Sequence, residues 1–185
     1  MLLRAPAFDP ATHARETCAG HRPMARFRLR AVVAAAVAAL ALHGGMAWAE
    51  SAPLKISYGA TFGAPIPDPS DPNIASLVDD MFGTATMLGR YTGSYPHLVN
   101  FAAGTFSGTA TFRAANGDLL LVELGGTGTP TGPTTFAVVF HGTITGGSGR
   151  FAGASGYVDG PGSVDLAGGV VTGYLEGTLV APALN

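Results

Sequence analysis

Between positions 170 and 179, every second residue is either large and apolar or a glycine. One face of an extended chain would carry Val171, Gly173, Leu175, Gly177 and Leu179, and the other would carry Val170, Thr172, Tyr174, Glu176 and Thr178. Successive side chains of a strand point to opposite faces of its sheet. Glycine among large inward residues allows bends and close approach of neighbouring backbones. The pattern predicts a strand in a strongly curved sheet that closes on itself.

Other segments predict strands of the same kind. Glycine and threonine recur through stretches that alternate apolar and polar residues, which is typical of many short strands. We predict strands near 54–60, 84–92, 97–102, 104–114, 118–125, 134–145, 154–165 and 169–180. Between two of them, Asn116-Gly117 predicts a hairpin with a type I′ turn, because both residues tolerate a positive φ. The fold class we expect is all-β, with about eight strands.

One segment has the spacing of a helix. Apolar residues fall at i, i+3, i+4, i+7 and i+8, namely Ile74, Leu77, Val78, Met81 and Phe82. Asp71 can cap this segment, Pro72 suits a first helical position, and Gly83 can end it. We therefore predict one short amphipathic helix near 72–82. The proline-rich stretch 65–69 before it should be an extended loop.

A ten-residue pattern occurs twice, 65 positions apart, at 99–108 and 164–173. In each copy an amide or carboxylate side chain, Asn100 or Asp165, can accept a hydrogen bond from the backbone of the following turn. A glycine four residues later, Gly104 or Gly169, can adopt a left-handed conformation before the next strand. The repeat predicts the same hairpin twice, with a structural role.

The segment 24–49 has the order of a secretory signal peptide. Spaced arginines precede the apolar stretch 31–42, and Ala47-Trp48-Ala49 resembles a cleavage site. The apolar stretch is shorter than the roughly 20 residues that a membrane-spanning helix needs. We expect cleavage after Ala49 and export to the periplasm or beyond. Residues 1–23 would be an upstream mis-assigned start or a disordered segment, and 50–185 a single domain.

The charge balance after Ala49 excludes several classes of partner. Ten acidic and four basic residues remain there, for a net charge of −6. Such a surface repels nucleic acid and anionic lipid. The single cysteine, Cys18, lies before the predicted cleavage site, so no disulfide or thiolate chemistry is expected in the mature chain.

Two predicted strands are apolar on both faces, at 119–122 and 136–140. A single short helix cannot cover both of their outer faces, so part of the exterior should pack against another copy of the chain. We therefore predict a homo-oligomer.

The glycine-rich segment 146–156, Gly-Gly-Ser-Gly-Arg-Phe-Ala-Gly-Ala-Ser-Gly, closely resembles a signature of the allene oxide cyclase barrel-like proteins, to which dirigent proteins are related. The segments 87–91, 114–118 and 164–167 resemble other recurrent pieces of bacterial secreted members. The resemblance implies a closed, mostly antiparallel eight-stranded barrel with an interior cavity, often assembled as trimers or dimers. It also implies cofactor-free handling of an apolar substrate, such as cyclisation of a fatty-acid epoxide or steering of phenoxy-radical coupling. No catalytic residue of the plant cyclase matches a position here.

Six residues remain as candidates for a site, and each has a simpler interpretation: a rim position for Arg90 and Glu123, a hydrogen-bonded histidine for His141, and solvent-facing strand positions for the other three. The catalytic candidates are Arg90, Glu123 and His141, and the ligand-binding candidates are Tyr157, Tyr174 and Glu176. A charged group inside a barrel is costly unless it is paired or used. An aromatic-lined pocket with few polar groups is typical of small-molecule sites.

The sequence gives no sign of a metal or an organic cofactor. His97 and His141 are the only histidines after Ala49, and neither lies in a metal-ligand spacing. Residues 147–152 fit a GxGxxA pattern, but the glycines that follow disfavour the helix that a dinucleotide fingerprint requires. We expect instead a tight turn with Phe151 tucked into the barrel end and Arg150 at the surface or paired with a carboxylate.

Three functions are compatible with these features. The leading hypothesis is an exported oligomeric barrel that binds a hydrophobic small molecule without a cofactor, or is chiefly structural. The second is a cofactor-free cyclase or isomerase, favoured if the candidate side chains converge in a cavity of about 300 Å³ or more. The third is a surface or matrix interaction protein that uses its apolar outer strands.

Overall fold

The structure is a computed structural model and describes residues 49–182. Residues 1–48, which hold the segment 1–23 and all of the predicted signal peptide except Ala49, lie outside the described residues, and cleavage after Ala49 stays a prediction. The strands are β1 (Glu50–Phe62), β2 (Ile66–Pro67), β3 (Ile74–Ala85), β4 (Gly89–Asn100), β5 (Thr105–Ala114), β6 (Leu119–Pro130), β7 (Thr135–Gly147), β8 (Ser155–Asp165) and β9 (Val170–Ala181). Within these residues the only helical element is a 3₁₀ turn at Gly149–Phe151.

The strands form one antiparallel sheet that closes into a barrel. Each of β3 to β9 pairs with its neighbour in sequence, and β1 closes the ring by pairing with both β9 and β3. The two-residue β2 adds to the edge of β3, so the barrel itself has eight strands. The predicted all-β, closed, antiparallel barrel is confirmed.

The predicted helix near 72–82 is wrong, because this segment forms β3. Burial along β3 alternates: Leu77, Asp79 and Met81 face inward, whereas Val78 and Phe82 face outward and are about half exposed. The inward acidic residue interrupts the apolar alternation and leaves a helix-like spacing in the sequence. Pairing with β1 on one side and β4 on the other satisfies the backbone of this segment as a strand.

The start of the predicted helix is a turn that leads into the strand. The Asp71 carboxylate accepts a hydrogen bond from the backbone N–H of Asn73 at 2.9 Å, and the Asp71 carbonyl accepts one from Ile74 at 3.0 Å. Asp71 therefore caps a local turn. The predicted strand at 84–92 is also wrong in its bounds, because the chain reverses at 86–88, where Met87 has φ of 69°.

The Asn116-Gly117 hairpin is confirmed, but its turn type is not I′. Gly117 has φ of 92°, whereas Asn116 does not adopt a positive φ. The turn is closed by backbone bonds from Gly117 to Ala114 and from Ala114 to Asp118, both 2.9 Å. The Asn116 side chain binds Asp118 at 2.8 Å, which stabilises a different local geometry.

The repeated hairpin is confirmed at both places. Asn100 accepts a hydrogen bond from the N–H of Ala103 at 2.9 Å, and Asp165 accepts one from Ala167 at 3.0 Å. Gly104 and Gly169 have φ of 63° and 62°. Both turns lie at the same end of the barrel, together with the turn between β6 and β7.

The opposite end of the barrel is filled. Phe151, in the glycine-rich connection between β7 and β8, is fully buried there. The side chain of Arg150 lies 3.4 Å from the Asp118 carboxylate, and its guanidinium lies 5.0 Å from the ring centre of Phe151. The turn predicted for this motif is confirmed. We call this end the closed end, and the end with the two repeated turns the open end.

Between residues 49 and 182 the structure has no helix of the length and apolar character that crossing a membrane requires.

Candidate functional site

A cavity lies inside the barrel at the open end. Its volume is about 110 Å³, and most of its wall is apolar or aromatic. The apolar side chains that line it are Phe62, Leu77, Val99, Phe101, Phe106, Phe136, Val138, Phe140, Val164, Leu166 and Val171. The polar side chains are fewer, namely Asp79, Tyr95, His97, Asn100 and Thr105. The cavity is smaller than the roughly 300 Å³ at which small-molecule pockets usually begin.

The internal repeat builds two parts of the cavity wall. Three pairs of lining residues are 65 positions apart, namely Val99 with Val164, Phe101 with Leu166, and Phe106 with Val171. Phe101 and Leu166 belong to the two turns of the repeat and are 47% and 38% exposed. These two apolar side chains therefore stand at the mouth of the cavity.

The polar side of the cavity is centred on Asp79, which is only 3% exposed. Its Oδ2 accepts a hydrogen bond from the Tyr58 hydroxyl at 3.1 Å. Tyr58 is itself buried and does not line the cavity. The other oxygen, Oδ1, is buried and has no hydrogen-bond partner among the described residues. One carboxylate oxygen of Asp79, a residue that lines the cavity, is thus left without a hydrogen bond.

Tyr95 and His97 lie beside Asp79 on the neighbouring strand. Tyr95 is the direct cross-strand partner of Asp79, and His97 follows two residues later on the same face of β4. The rings of Tyr95 and His97 stack with centroids 4.3 Å apart. The Tyr95 hydroxyl donates to the carbonyl of Leu124 at 2.7 Å, and the His97 Nδ1 lies 3.0 Å from the carbonyl of Tyr95. These bonds fix both rings in the cavity wall.

Burial shifts the pKa of the Asp79 carboxyl and of the Tyr58 hydroxyl. Loss of hydration raises the pKa of the Asp79 carboxyl above its ordinary value, while charge on His97 and the bond from Tyr58 act in the opposite direction. Burial also raises the pKa of the Tyr58 hydroxyl, with further contributions from Asp79. The hydroxyl therefore stays protonated and remains a donor to Asp79. A buried carboxyl with a raised pKa is the kind of group found at functional sites.

The six site residues predicted from the sequence lie elsewhere. The three catalytic candidates, Arg90, Glu123 and His141, are exposed on the outer face of the barrel. The three ligand-binding candidates, Tyr157, Tyr174 and Glu176, are also exposed on that face. In the described part of the chain none of the six lines the cavity.

Some of these residues are brought together outside the barrel. Cross-strand pairing sets His141 beside Asp159, and the two are 2.8 Å apart. Glu176 lies 3.3 Å from Lys55 and accepts a bond from the Tyr174 hydroxyl at 3.1 Å. Both bonds lower the pKa of the solvent-exposed Glu176 carboxyl. Solvent-exposed pairs of this kind contribute little to stability.

The sequence analysis does not identify the polar residues of the cavity, because the sequence pattern does not predict the strands β3 and β4 with their observed bounds. Asp79 lies in the segment whose spacing predicts a helix, and His97 is the first residue of the predicted strand 97–102, whereas β4 begins at Gly89. The one available signal is period 2: Ala75, Leu77, Asp79 and Met81 form an inward row with a single acidic residue. A strand interpretation of 74–85 would have placed that acid inside the barrel.

The residues of the cavity fit an organic molecule better than a metal ion. Within residues 49–182, no three His, Cys, Asp or Glu side chains group closely enough to hold a metal. The cavity instead combines aromatic rings with one carboxylate and one imidazole. Such a wall can enclose an apolar group and accept a hydrogen bond from an N–H or O–H donor attached to that group.

The fold is shared with dirigent proteins of known structure. The structure of the pterocarpan synthase dirigent protein GePTS1 is 18% identical, covers 74% of this chain and 91% of its own, and has a TM-score of 0.53. That of the pterocarpan synthase dirigent protein PsPTS1 is 16% identical, with coverage of 71% and 96% and a TM-score of 0.50. No protein-family model and no curated protein matches the chain. The chain thus has a dirigent-like barrel fold, as the resemblance implied.

Proposed function

We propose that this protein binds a small apolar molecule with a ring system in the cavity at the open end, without a cofactor. The observation that carries the proposal is the composition of the cavity wall, in which aromatic and aliphatic side chains surround one buried carboxylate. An unfilled apolar cavity forgoes packing contacts that a folded core normally makes. A bound apolar group would restore those contacts.

The size of the cavity limits how much of a ligand it encloses. A dry cavity of about 150 Å³ is large enough for benzene, and the cavity here measures about 110 Å³. At most one small ring or a short branched chain is therefore enclosed. The rest of a larger ligand would extend past Phe101 and Leu166 at the mouth.

A second candidate function is a cofactor-free cyclase or isomerase. Asp79 favours it, because a buried carboxyl whose pKa is raised by loss of hydration can exchange a proton with a bound molecule. The matched structures are of proteins named pterocarpan synthases. In this hypothesis Asp79 would be the acid or base, and Tyr58 would hold its carboxylate in place.

Binding can be tested with a variant that fills the cavity. Val164 lines the cavity and is only partly buried, so Val164→Phe should occupy the space with little strain. Val139 is 46% exposed on the outer face, and Val139→Phe is the matched control. Ligand-observed NMR with toluene and indole should show binding to the wild type and to Val139→Phe, and loss of binding in Val164→Phe. Absence of binding to the wild type would contradict the proposal.

The natural ligand can be sought directly. Native mass spectrometry of the protein purified from its source, followed by organic extraction, should reveal a bound small molecule. If the wild type converts that molecule to a product and Asp79→Asn only binds it, the result supports the enzymatic function. If it is recovered unchanged from the wild type, simple binding is the function.

A further inference from the structure

We propose that the cavity selects a positively charged ligand, a protonated amine attached to a single apolar ring. This inference rests on the proposed function, since it names the class of molecule that the same cavity takes. The first observation is the geometry of Asp79. Tyr58 binds Oδ2 from outside the cavity, and Oδ1 remains without a partner among the described residues. An ammonium group supplies the donor that this oxygen lacks, and adds charge to the hydrogen bond.

The walls around Asp79 also suit a cation. Tyr95 lies directly across from Asp79, Phe62 is its cross-strand partner on the other side, and Phe140 lines the same cavity. The faces of aromatic rings attract ammonium groups, most strongly where water is excluded. A carboxylate together with aromatic rings therefore provides two separate sources of attraction for an amine.

Only one side of the cavity offers a polar anchor. Tyr95 and His97 lie just before the first copy of the repeat, and at the same offset of 65 positions Gly160 and Gly162 lie just before the second copy. A side chain at Gly162 would meet the ring of Phe140 at 2.5 Å, so this side of the barrel is occupied by that ring. The ligand should accordingly have one charged end and one apolar end.

Charge is distributed unevenly along the barrel axis. Four lysine and arginine residues lie between positions 49 and 182, and all four are in the half of the barrel nearer the closed end, the closed half. They are Lys55 level with the turn at 86–88, Arg90 at the start of β4, Arg113 near the end of β5, and Arg150 beside Phe151. The other half, nearer the open end, carries five acidic residues and no base, namely Asp68, Asp71, Asp79, Asp80 and Asp165. The closed half carries the other five acidic residues, Glu50, Asp118, Glu123, Asp159 and Glu176, beside its four bases, so the formal charge is −5 in the open half and 4 − 5 = −1 in the closed half.

This asymmetry gives the mouth of the cavity a negative potential. Such a potential raises the local concentration of cations and repels anions. A ligand with a carboxylate would also meet Asp79 at the end of the cavity. The charge distribution thus favours an amine over an organic acid of the same shape.

The experiment uses molecules of one shape and different charge. Benzylamine, benzyl alcohol, toluene and benzoate each contain one ring and differ mainly in the attached group. Affinities for the wild-type protein would be measured by ligand-observed NMR at pH 7.5 and constant ionic strength. We expect benzylamine to bind at least tenfold more tightly than benzyl alcohol and toluene, and benzoate most weakly. Because this series uses the wild type, it does not depend on whether a variant folds.

A pair of variants identifies the anchor. Asp79→Asn removes the buried carboxylate, whereas Asp80→Asn removes the same charge from the exposed next residue on the outer face. Asp79→Asn should bind benzylamine at least tenfold more weakly than the wild type does. The affinity of Asp80→Asn for benzylamine should differ from that of the wild type by less than twofold. Toluene should bind both variants as it binds the wild type.

The outcomes separate this inference from the proposed function. Equal affinity for benzylamine, benzyl alcohol and toluene would overturn the selection of amines and leave the apolar site intact. If Asp79→Asn and Asp80→Asn lose the same amount of affinity for benzylamine, the role of Asp79 is overturned. Failure of all four compounds to bind would contradict the proposed function itself.

Discussion

At the scale of single residues, Asp79 is the position where stability and function conflict. Burying a carboxylate costs free energy unless its hydrogen bonds are fully replaced. Tyr58 replaces only part of the hydration that Asp79 loses, since Oδ1 has no partner among the described residues. Groups that reduce stability in this way are typical of binding and catalytic sites.

Because of this conflict, we predict that the melting temperatures of the wild type and Asp79→Asn differ by an amount that depends on pH. Burial raises the folded-state pKa of Asp79 above the ordinary 3.8, so the folded protein holds this proton after the unfolded chain has lost it. The favourable contribution of the protonated carboxyl is complete below about pH 4 and is lost as pH rises through the folded-state pKa. Near neutral pH, Asp79→Asn should therefore melt higher than the wild type, by on the order of 4 °C.

Thermal unfolding followed by circular dichroism at several pH values from 4 to 8 measures this difference. The gap between the two melting temperatures should widen with pH, and Asp80→Asn should show no such trend because Asp80 is exposed. A gap that stays constant, or that narrows as pH rises, would show that burial of Asp79 does not have this cost.

At the scale of elements, β3 decides both the closure of the barrel and the position of the carboxylate. It pairs with β1 over seven residue pairs and with β4 over twelve. Local sequence favours a helix here, whereas β1 and β4 offer two edges that need a strand between them. Long-range pairing of this kind routinely overrides local propensity.

The strand assignment predicts a large loss of stability at one apolar residue of β3 and almost none at another. Met81 faces the core and is 2% exposed, whereas Val78 faces outward and is 53% exposed. Met81→Thr should lower the free energy of unfolding by about 2–4 kcal/mol, because it leaves a cavity and buries a hydroxyl. Val78→Thr should change it by less than about 0.5 kcal/mol, since threonine suits an exposed strand position. Urea unfolding measures both values, and equal losses would be inconsistent with the strand.

At the scale of the whole molecule, the barrel is filled at one end and open at the other. Phe151 plugs the closed end, and the repeated turns frame the open one. The outer face retains large apolar side chains that are about half exposed, namely Val78, Phe82, Leu98, Val139 and Tyr157. They form two groups, one on β3 and β4 and the other on β7 and β8. Exposed apolar groups are found where a protein contacts another molecule.

We propose that the exposed apolar side chains on β7 and β8 join copies of the chain. We also propose that the exported chain begins at Glu50. Native mass spectrometry of the protein from its source should give a dimer or trimer of chains cleaved after Ala49. Val139→Glu should shift the assembly towards monomers, because it places a charge on the outer face of β7, whereas Val139→Thr should leave it unchanged. A wild-type monomer across the micromolar concentration range would contradict this proposal.

The sequence alone determined those features that depend on neighbouring residues. The two faces of β9 follow from side-chain alternation, and the turns at Asn100 and Asp165 follow from the chemistry of a few adjacent residues. The tertiary structure decided which strand lies beside which, and with it the whole of the cavity. Asp79, Tyr95 and His97 meet only because β3 and β4 pair in one register, and Arg90, Glu123 and His141 lie outside because their strands present that face to solvent. Such contacts join residues far apart in the chain, so no local pattern encodes them.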